Sequence, residues 1–169
     1  DWSSDVCSSD LEITSIAPAI FLLPFFLFSA TAGQLADKYN RDKIARLVKL
    51  FEMGIMLIVG IGFYFHSLII LFVALFMFGV HSAFFGPVKY AILPQHLKEE
   101  ELVGGNGLIE SGTFVAILLG TLVGALLASQ ENGEIYITVF GFLFAGMGYL
   151  TSRYIPEAKA PEPGLKVNF

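Results

Sequence analysis

The sequence has little cysteine, histidine and charge, and these shortages exclude several classes of protein. It holds one cysteine, Cys7, and three histidines among 169 residues, so it has no disulfide framework and no metal-ligand spacing. Lysine and arginine together number 10 and form no long basic tract, which argues against a surface for nucleic acid. We therefore expect no metal, no cofactor and no nucleic-acid partner.

Apolar residues are abundant instead, and the cations are confined to separate clusters. Hydrophobic residues make up 55% of the chain, including 17 phenylalanines, and the mean hydropathy is +0.70. A water-soluble domain of this length cannot bury that much apolar surface, so the composition predicts a membrane protein. The cations are Lys38, Arg41, Lys43, Arg46, Lys49, Lys89, Lys98, Arg153, Lys159 and Lys166.

The runs between these clusters are long enough to cross a bilayer. Apolar stretches of about 19 to 28 residues match a hydrocarbon core of roughly 30 Å. They cover residues 13–36, 44–65, 67–90, 102–129 and 135–153. Connections rich in Lys and Arg alternate with connections that have none, as the positive-inside rule requires. The sequence thus predicts an all-α membrane protein with five transmembrane helices, in which Leu11 starts outside and Phe169 ends inside.

The two ends of the sequence differ from the predicted spans. Residues 1–10 are polar and lack the charged and apolar regions of a signal peptide. They resemble translated adapter sequence, so we expect the native chain to begin near Leu11 and an upstream part to be missing. Residues 156–169 are rich in Pro and charge without a helical period, which predicts a solvated linker rather than a domain. These features suggest a piece of a larger protein.

One connection carries a specific motif, Gly33-Gln-Leu-Ala-Asp37-Lys38-Tyr-Asn40-Arg41, between the first two spans. Gly33 would permit close helix approach, and Asp37 would present a carboxylate to a cation or a helix N-terminus. Lys38 and Arg41 would hold the turn by charge pairing. The segment resembles motif A of the major facilitator superfamily, in which it acts as a latch that stabilises the outward-facing state.

Two positions depart from the usual form of that motif. Asn40 replaces the second glycine, a change that is tolerable because Asn also adopts left-handed backbone conformations. Asp42 stands where another cation is common, so the resemblance implies a weaker latch.

The resemblance also assigns the spans to positions in a larger fold. Motif A joins helices two and three of a twelve-helix transporter, so the five spans would be helices two to six. Residues 11–155 would form a partial N-terminal six-helix bundle without its first helix, and residues 156–169 would begin the central cytoplasmic linker. Helices seven to twelve would also be missing, and half a transporter cannot perform alternating access. The isolated chain is therefore expected to be inactive.

A narrower resemblance rests on the predicted third and fourth spans. Its segments are Phe84-Phe-Gly-Pro-Val-Lys89-Tyr-Ala-Ile-Leu-Pro94-Gln-His and Glu101-Leu-Val-Gly-Gly-Asn106-Gly-Leu-Ile-Glu110. They resemble the bacterial lysophospholipid transporters, which are free-standing or fused to acyl-acyl carrier protein synthetase and acyltransferase enzymes. This implies transport of lysophosphatidylethanolamine-like lipid across the bacterial inner membrane for re-acylation. Whether such an enzyme is fused or a partner stays open.

Lys89 and Glu110 are ionisable groups inside predicted spans, where such groups usually face a cavity or a partner. They are equidistant from the tip of their hairpin and should lie roughly 8 to 14 Å inside the cytoplasmic boundary. Lys89 could instead snorkel to the interface, and Glu110 could pair locally. The resemblance implies a zwitterionic headgroup, so Lys89 would contact phosphate and Glu110 the amine. Asn106 would be a polar neighbour.

The other ionisable residues favour less specific roles. Glu52 is explained by i,i+3 pairing with Lys49 and His81 by packing on a Phe-rich helix, although both are candidates for protonation. The nearest approach to the His-x4-Asp of acyltransferases is His96 to Glu101, which has the wrong acid, so we predict no catalytic residue. A drug or small-solute exporter of the same superfamily stays an alternative.

Overall fold

Five helices account for most of the chain. The computed structural model describes the backbone of residues 2–165, with side chains from residue 13 onward except residue 14. The helices are α1 (Trp2–Lys38), α2 (Arg41–Tyr64), α3 (Leu68–His96), α4 (Leu102–Ala128) and α5 (Gly133–Ser152). A 3₁₀ turn precedes α4, and the described range contains no strand. The all-α prediction is confirmed, whereas residues 166–169 of the predicted linker lie outside the described part.

Four of the five helices are long and apolar enough to cross a membrane. The qualifying segments are Ser15–Lys38, Leu68–His96, Glu99–Ala128 and Gly133–Ser152. α2 is not among them, and its N-terminal half carries Arg46, Lys49 and Glu52. Each of these charged side chains has an ion-pair partner, which lowers the cost of placing it in a membrane.

The predicted third span ends six residues too early. α3 continues beyond Tyr90 to His96 and contains both Pro87 and Pro94. Proline removes one backbone donor, but a helix can continue through it where neighbouring groups satisfy the backbone. Between the two prolines, Arg41 Nη1 donates to the carbonyl of Ala91 at 2.8 Å, which ties α3 to the start of α2.

α3 is the central element of the bundle. α1 and α2 both pack on α3, and α5 packs on α2, whereas α4 makes only slight contact with α3 and α5. At the crossing of α1 and α3, a Cβ on Gly79 would overlap the carbonyl of Phe21 and the ring of Pro24. Pro24 is fully buried there. A small residue on α3 therefore sets the closest approach of these two helices.

The close approach expected at Gly33 is not observed within the described residues, and Gly120 and Gly124 show none either. A Cβ added to Gly33, Gly120 or Gly124 would meet no atom within 4 Å. Gly120 and Gly124 lie on α4, which buries no residue. The reason is the absence of a described neighbour on those faces.

Because consecutive helices alternate in direction, the bundle has two chemically different ends. The end formed by residues 38–41, 97–101 and 153–163 is here termed the charged end. Each described Lys or Arg lies in these connections or in the adjoining half of its helix. At the opposite end, Asn132 has a positive φ of 63° and Gly133 fits against the carbonyl of Leu127, which permits a tight turn into α5.

The described part of the segment after α5 is mostly exposed, but it docks on the bundle. It is non-helical as expected, but Ala158 is completely buried at the charged end. The Arg41 amide donates to the Ala158 carbonyl at 2.8 Å, and the Glu162 amide donates to the Asp37 carbonyl at 3.0 Å. These contacts return the chain to the turn between α1 and α2.

Candidate functional site

Lys89 on α3 and Glu110 on α4 lie together, as their equal distance from the hairpin tip suggested. Lys89 Nζ is 3.9 Å from Glu110 Oε1, and the two side chains are 22% and 43% exposed. A pair this long and this open contributes little to stability, at most about 1 kcal/mol. Both charged groups therefore stay accessible to a ligand.

Two further residues complete the surroundings of the Lys89 ammonium. Lys89 Nζ lies 3.4 Å from Thr113 Oγ1 and 4.7 Å from the centre of the Tyr90 ring. Sequence reasoning missed both, although Thr113 follows Glu110 by three residues and so shares its helix face. The Thr113 hydroxyl donates to the carbonyl of Ile109 and is held in place by that bond.

Asn106 lies beside this site rather than within it. It precedes Glu110 by four residues on α4, which puts it on the same face, and its side chain is exposed. Among the described residues it makes no hydrogen bond to Lys89 or Glu110. The arrangement presents a cation and an anion a few ångströms apart, which is complementary to a zwitterion.

The turn between α1 and α2 is organised by Arg41. Its Nη2 lies 3.1 Å from Asp37 Oδ1, its Nε donates to the Ala36 carbonyl at 3.1 Å, and its Nη1 reaches Ala91 on α3. The predicted charge pairing of Asp37 with Arg41 is therefore present. Lys38 does not join it, because its Nζ lies over the Tyr39 ring at 5.7 Å from the ring centre.

The two departures from motif A have structural explanations. Asn40 has φ −60° and ψ 123°, so the left-handed conformation that was expected to make Asn tolerable is not used. Asp42 is buried, with its Oδ2 3.3 Å from the guanidinium of Arg46. The signal in the sequence was the i,i+4 spacing of that pair.

A cluster of ionisable groups joins α2 to α3. Glu52 Oε2 lies 2.8 Å from Lys49 Nζ, which is the predicted i,i+3 pair, and 3.4 Å from His81 Nε2. The His81 ring stacks on the Phe85 ring at 5.8 Å between ring centres. Lys49 Nζ lies 4.6 Å from the centre of the Phe85 ring. His81 is therefore both a packing residue and a neighbour of the Lys49–Glu52 ion pair.

A groove of about 740 Å³ opens between α1, α2 and α3 near the charged end. Its walls are mostly apolar, with His81 among them, and Lys38 and Lys43 also line it. The described residues contain no group of three His, Cys, Asp or Glu side chains that could hold a metal ion. The nearest approach to acyltransferase residues does not converge either: His96 Nδ1 contacts the Ile92 carbonyl of its own helix, and Glu101 Oε2 accepts from the Lys98 amide.

Comparison with known proteins gives relatives along nearly the whole chain. The Lysophospholipid transporter LplT of Yersinia enterocolitica is 29% identical over 164 residues, which cover 97% of this chain and 36% of the relative. The protein of the same name from Cronobacter sakazakii is 30% identical over 172 residues, covering 100% of this chain and 38% of the relative. That of Escherichia coli O1:K1 is 31% identical over 154 residues, or 90% and 36%.

The chain thus spans little more than a third of the length of these relatives. No solved structure matches it. The family model described as Major Facilitator Superfamily matches residues 4–168. Together with the all-helical fold, this match shows that the chain belongs to the major facilitator superfamily.

Proposed function

We propose that the chain is part of a transporter that moves lysophosphatidylethanolamine-like lipid across the bacterial inner membrane by alternating access. Re-acylation by an acyltransferase, fused or separate, would consume the transported lipid. The likeness to transporters named for lysophospholipid supports the substrate class. The structural observation that best supports the proposal is the 3.9 Å distance between Lys89 Nζ and Glu110 Oε1.

In this proposal the pair binds the two charges of the headgroup. A lysophosphatidylethanolamine headgroup has one phosphate and one ammonium, so Lys89 contacts the phosphate and Glu110 the amine. Thr113 and Asn106 supply neutral hydrogen-bonding groups on the same face of α4. Ionisable groups at membrane depth are expensive, and a ligand-binding role is a common reason for keeping them.

The remaining proposals concern the larger protein and its movement. Residues 11–155 would supply helices two to six, with residues 156–169 starting the linker to the second bundle, so the substrate site is complete only in the uninterrupted protein. Gly33, Asp37, Lys38 and Arg41 would form the conformational latch. Glu52 and His81 would be the candidates for protonation during the cycle, since His81 Nε2 lies 3.4 Å from Glu52 Oε2.

The charged end is proposed to face the cytoplasm. In a cysteine-free form of the uninterrupted protein, a membrane-impermeant thiol reagent applied to spheroplasts should label Glu131→Cys and leave Glu100→Cys unlabelled. Glu131 lies in the turn before α5 and Glu100 in the hairpin before α4, at opposite ends of the bundle. Labelling of both positions, or of Glu100→Cys alone, would contradict this orientation.

The substrate assignment is tested by uptake of labelled lysophosphatidylethanolamine in cells that lack their own transporter. Lys89→Ala and Glu110→Ala, made separately in the uninterrupted protein, should each lower uptake at least about tenfold. A hydrogen bond to a charged group contributes roughly 1.5–3 kcal/mol, which corresponds to that loss. Immunoblotting of membranes should show unchanged amounts of protein.

Matched controls are Lys98→Ala and Glu99→Ala, which remove the same charges from the exposed hairpin. They should leave uptake within about twofold of the unmodified protein. Unchanged uptake in both site variants would remove Lys89 and Glu110 from the substrate site. Restored uptake in the double variant Lys89→Glu with Glu110→Lys would show that the pair only holds two helices together.

A further inference from the structure

The segment of residues 155–163, here termed the strap, lies across the charged end of the bundle. Six hydrogen bonds join it to three helices and the turn between α1 and α2. They are Arg46 Nη2 to the Ile155 carbonyl, the Arg41 amide to the Ala158 carbonyl, the Ala158 amide to Asp42 Oδ1, Gln95 Nε2 to the Lys159 carbonyl, the Ala160 amide to Asn40 Oδ1 and the Glu162 amide to the Asp37 carbonyl. Their lengths lie between 2.8 and 3.3 Å.

The sequence of the strap suits it to this position. The amides that bond to the turn region belong to Ala158, Ala160 and Glu162, which are alternate residues, as expected for an extended segment with one edge against a partner. Residues that precede a proline favour extended backbone, and a proline follows each of Ile155, Ala160 and Glu162. Less conformational entropy is therefore lost when the strap docks.

The receiving side chains are the two departures from motif A. Asn40 accepts from the Ala160 amide at 3.2 Å, and the buried Asp42 accepts from the Ala158 amide at 3.3 Å. A glycine at position 40 has no side-chain oxygen, and a cation at position 42 could not accept an amide hydrogen. The substitutions that were expected to weaken the latch thus provide acceptors that the usual residues lack.

We propose that the strap fastens the turn between α1 and α2 to the ends of α3 and α5, through Asn40 and Asp42, so that turn and strap open as one unit. The bonds from Arg46 and Gln95 extend this attachment to α2 and α3. A movement of the turn must then either break the attachment or carry the strap with it. The attachment of the strap to the turn between α1 and α2 does not depend on which substrate is transported.

Hydrogen–deuterium exchange of the uninterrupted protein in nanodiscs tests this attachment. Asn40→Leu and Asp42→Leu remove the acceptors, so peptides covering residues 156–163 should exchange roughly tenfold faster or more. Peptides covering residues 39–42 should accelerate in step. Asn40→Asp and Asp42→Asn keep an acceptor oxygen and should retain the protection, as should Lys43→Ala, an exposed neighbour on α2.

A second variant acts from the side of the strap. Ala160→Pro deletes the amide that Asn40 accepts and changes nothing in the turn, so it should raise exchange at Ala158 and Glu162 while α3 stays protected. It decides the case if the leucine variants lose protection throughout α3 and so report misfolding. Protection of the strap that survives Ala160→Pro, or a strap that exchanges at the rate of free peptide in the unmodified protein, would overturn the proposal. Loss of strap protection with an unaffected turn would overturn the claim of a single unit.

Discussion

α3 and α4 are both apolar enough to span a membrane, but only α3 is packed. Five residues of α3 are buried, among them Gly79 and His81, whereas no residue of α4 is. Hydropathy measures how favourable it is to place a segment in lipid, and both helices are favourable by that measure. Packing in a membrane depends instead on small residues that face a neighbour and on polar groups that find partners. α3 has both features in place, and α4 carries similar residues on faces without a described neighbour.

The largest expected loss of stability from one substitution is at Gly79, where α3 packs on α1. Gly79→Val should lower the free energy of unfolding by roughly 1–3 kcal/mol or more, because its Cβ would overlap the Phe21 carbonyl and backbone cannot easily move aside. The same change at Gly120 on α4 should stay within about 0.5 kcal/mol. SDS-induced unfolding followed by circular dichroism measures both values. Equal losses at the two positions would mean that Gly79 does not mark the closest approach of α1 and α3.

A smaller effect compares two glutamates. Glu52→Leu leaves both Lys49 and His81 without their carboxylate partner and should cost roughly 1.5–3 kcal/mol. Glu110→Leu removes only the long, open pair with Lys89 and should cost less than about 1 kcal/mol. The same unfolding assay applies to both variants.

A double-mutant cycle of Glu52→Leu with His81→Leu sharpens that comparison. It should give an interaction of at least about 0.5 kcal/mol if the two side chains are coupled. If the two losses of stability are additive, the 3.4 Å contact between His81 Nε2 and Glu52 Oε2 contributes no interaction energy. A large loss of stability for Glu110→Leu would contradict the view that Glu110 is kept for a ligand.

The helices could be predicted from the sequence, but their arrangement could not. The apolar runs and the clustered cations place the five helices within a few residues, apart from the start of α1 at Trp2 rather than residue 13 and the extension of α3 to His96. Neither α3 nor α4 has a distinct apolar face, so the sequence gives no indication of which side packs. The importance of Gly79 follows from Phe21 and Pro24 opposite it, and these belong to another helix.

The candidate site divides in the same way. Lys89 and Glu110 could be paired from the sequence because a short hairpin fixes the relative depth of its two helices. The contact of His81 with Glu52 and the docking of Ala158 on Asp42 could not, because each joins segments whose relative position depends on packing. A Pro-rich composition indicates little helix, but it does not indicate whether the amides face water or a neighbouring carboxylate.

The absence of buried residues on α4 has a practical consequence for producing this protein. If the 169 residues were made by themselves, Glu110 and Asn106 would face acyl chains or detergent tails on one flank. Polar groups in such surroundings draw helices together until they find partners. Preparations of the chain by itself should therefore be mixtures of self-associated forms, and co-production with the helices proposed to complete the bundle is the route to a uniform sample.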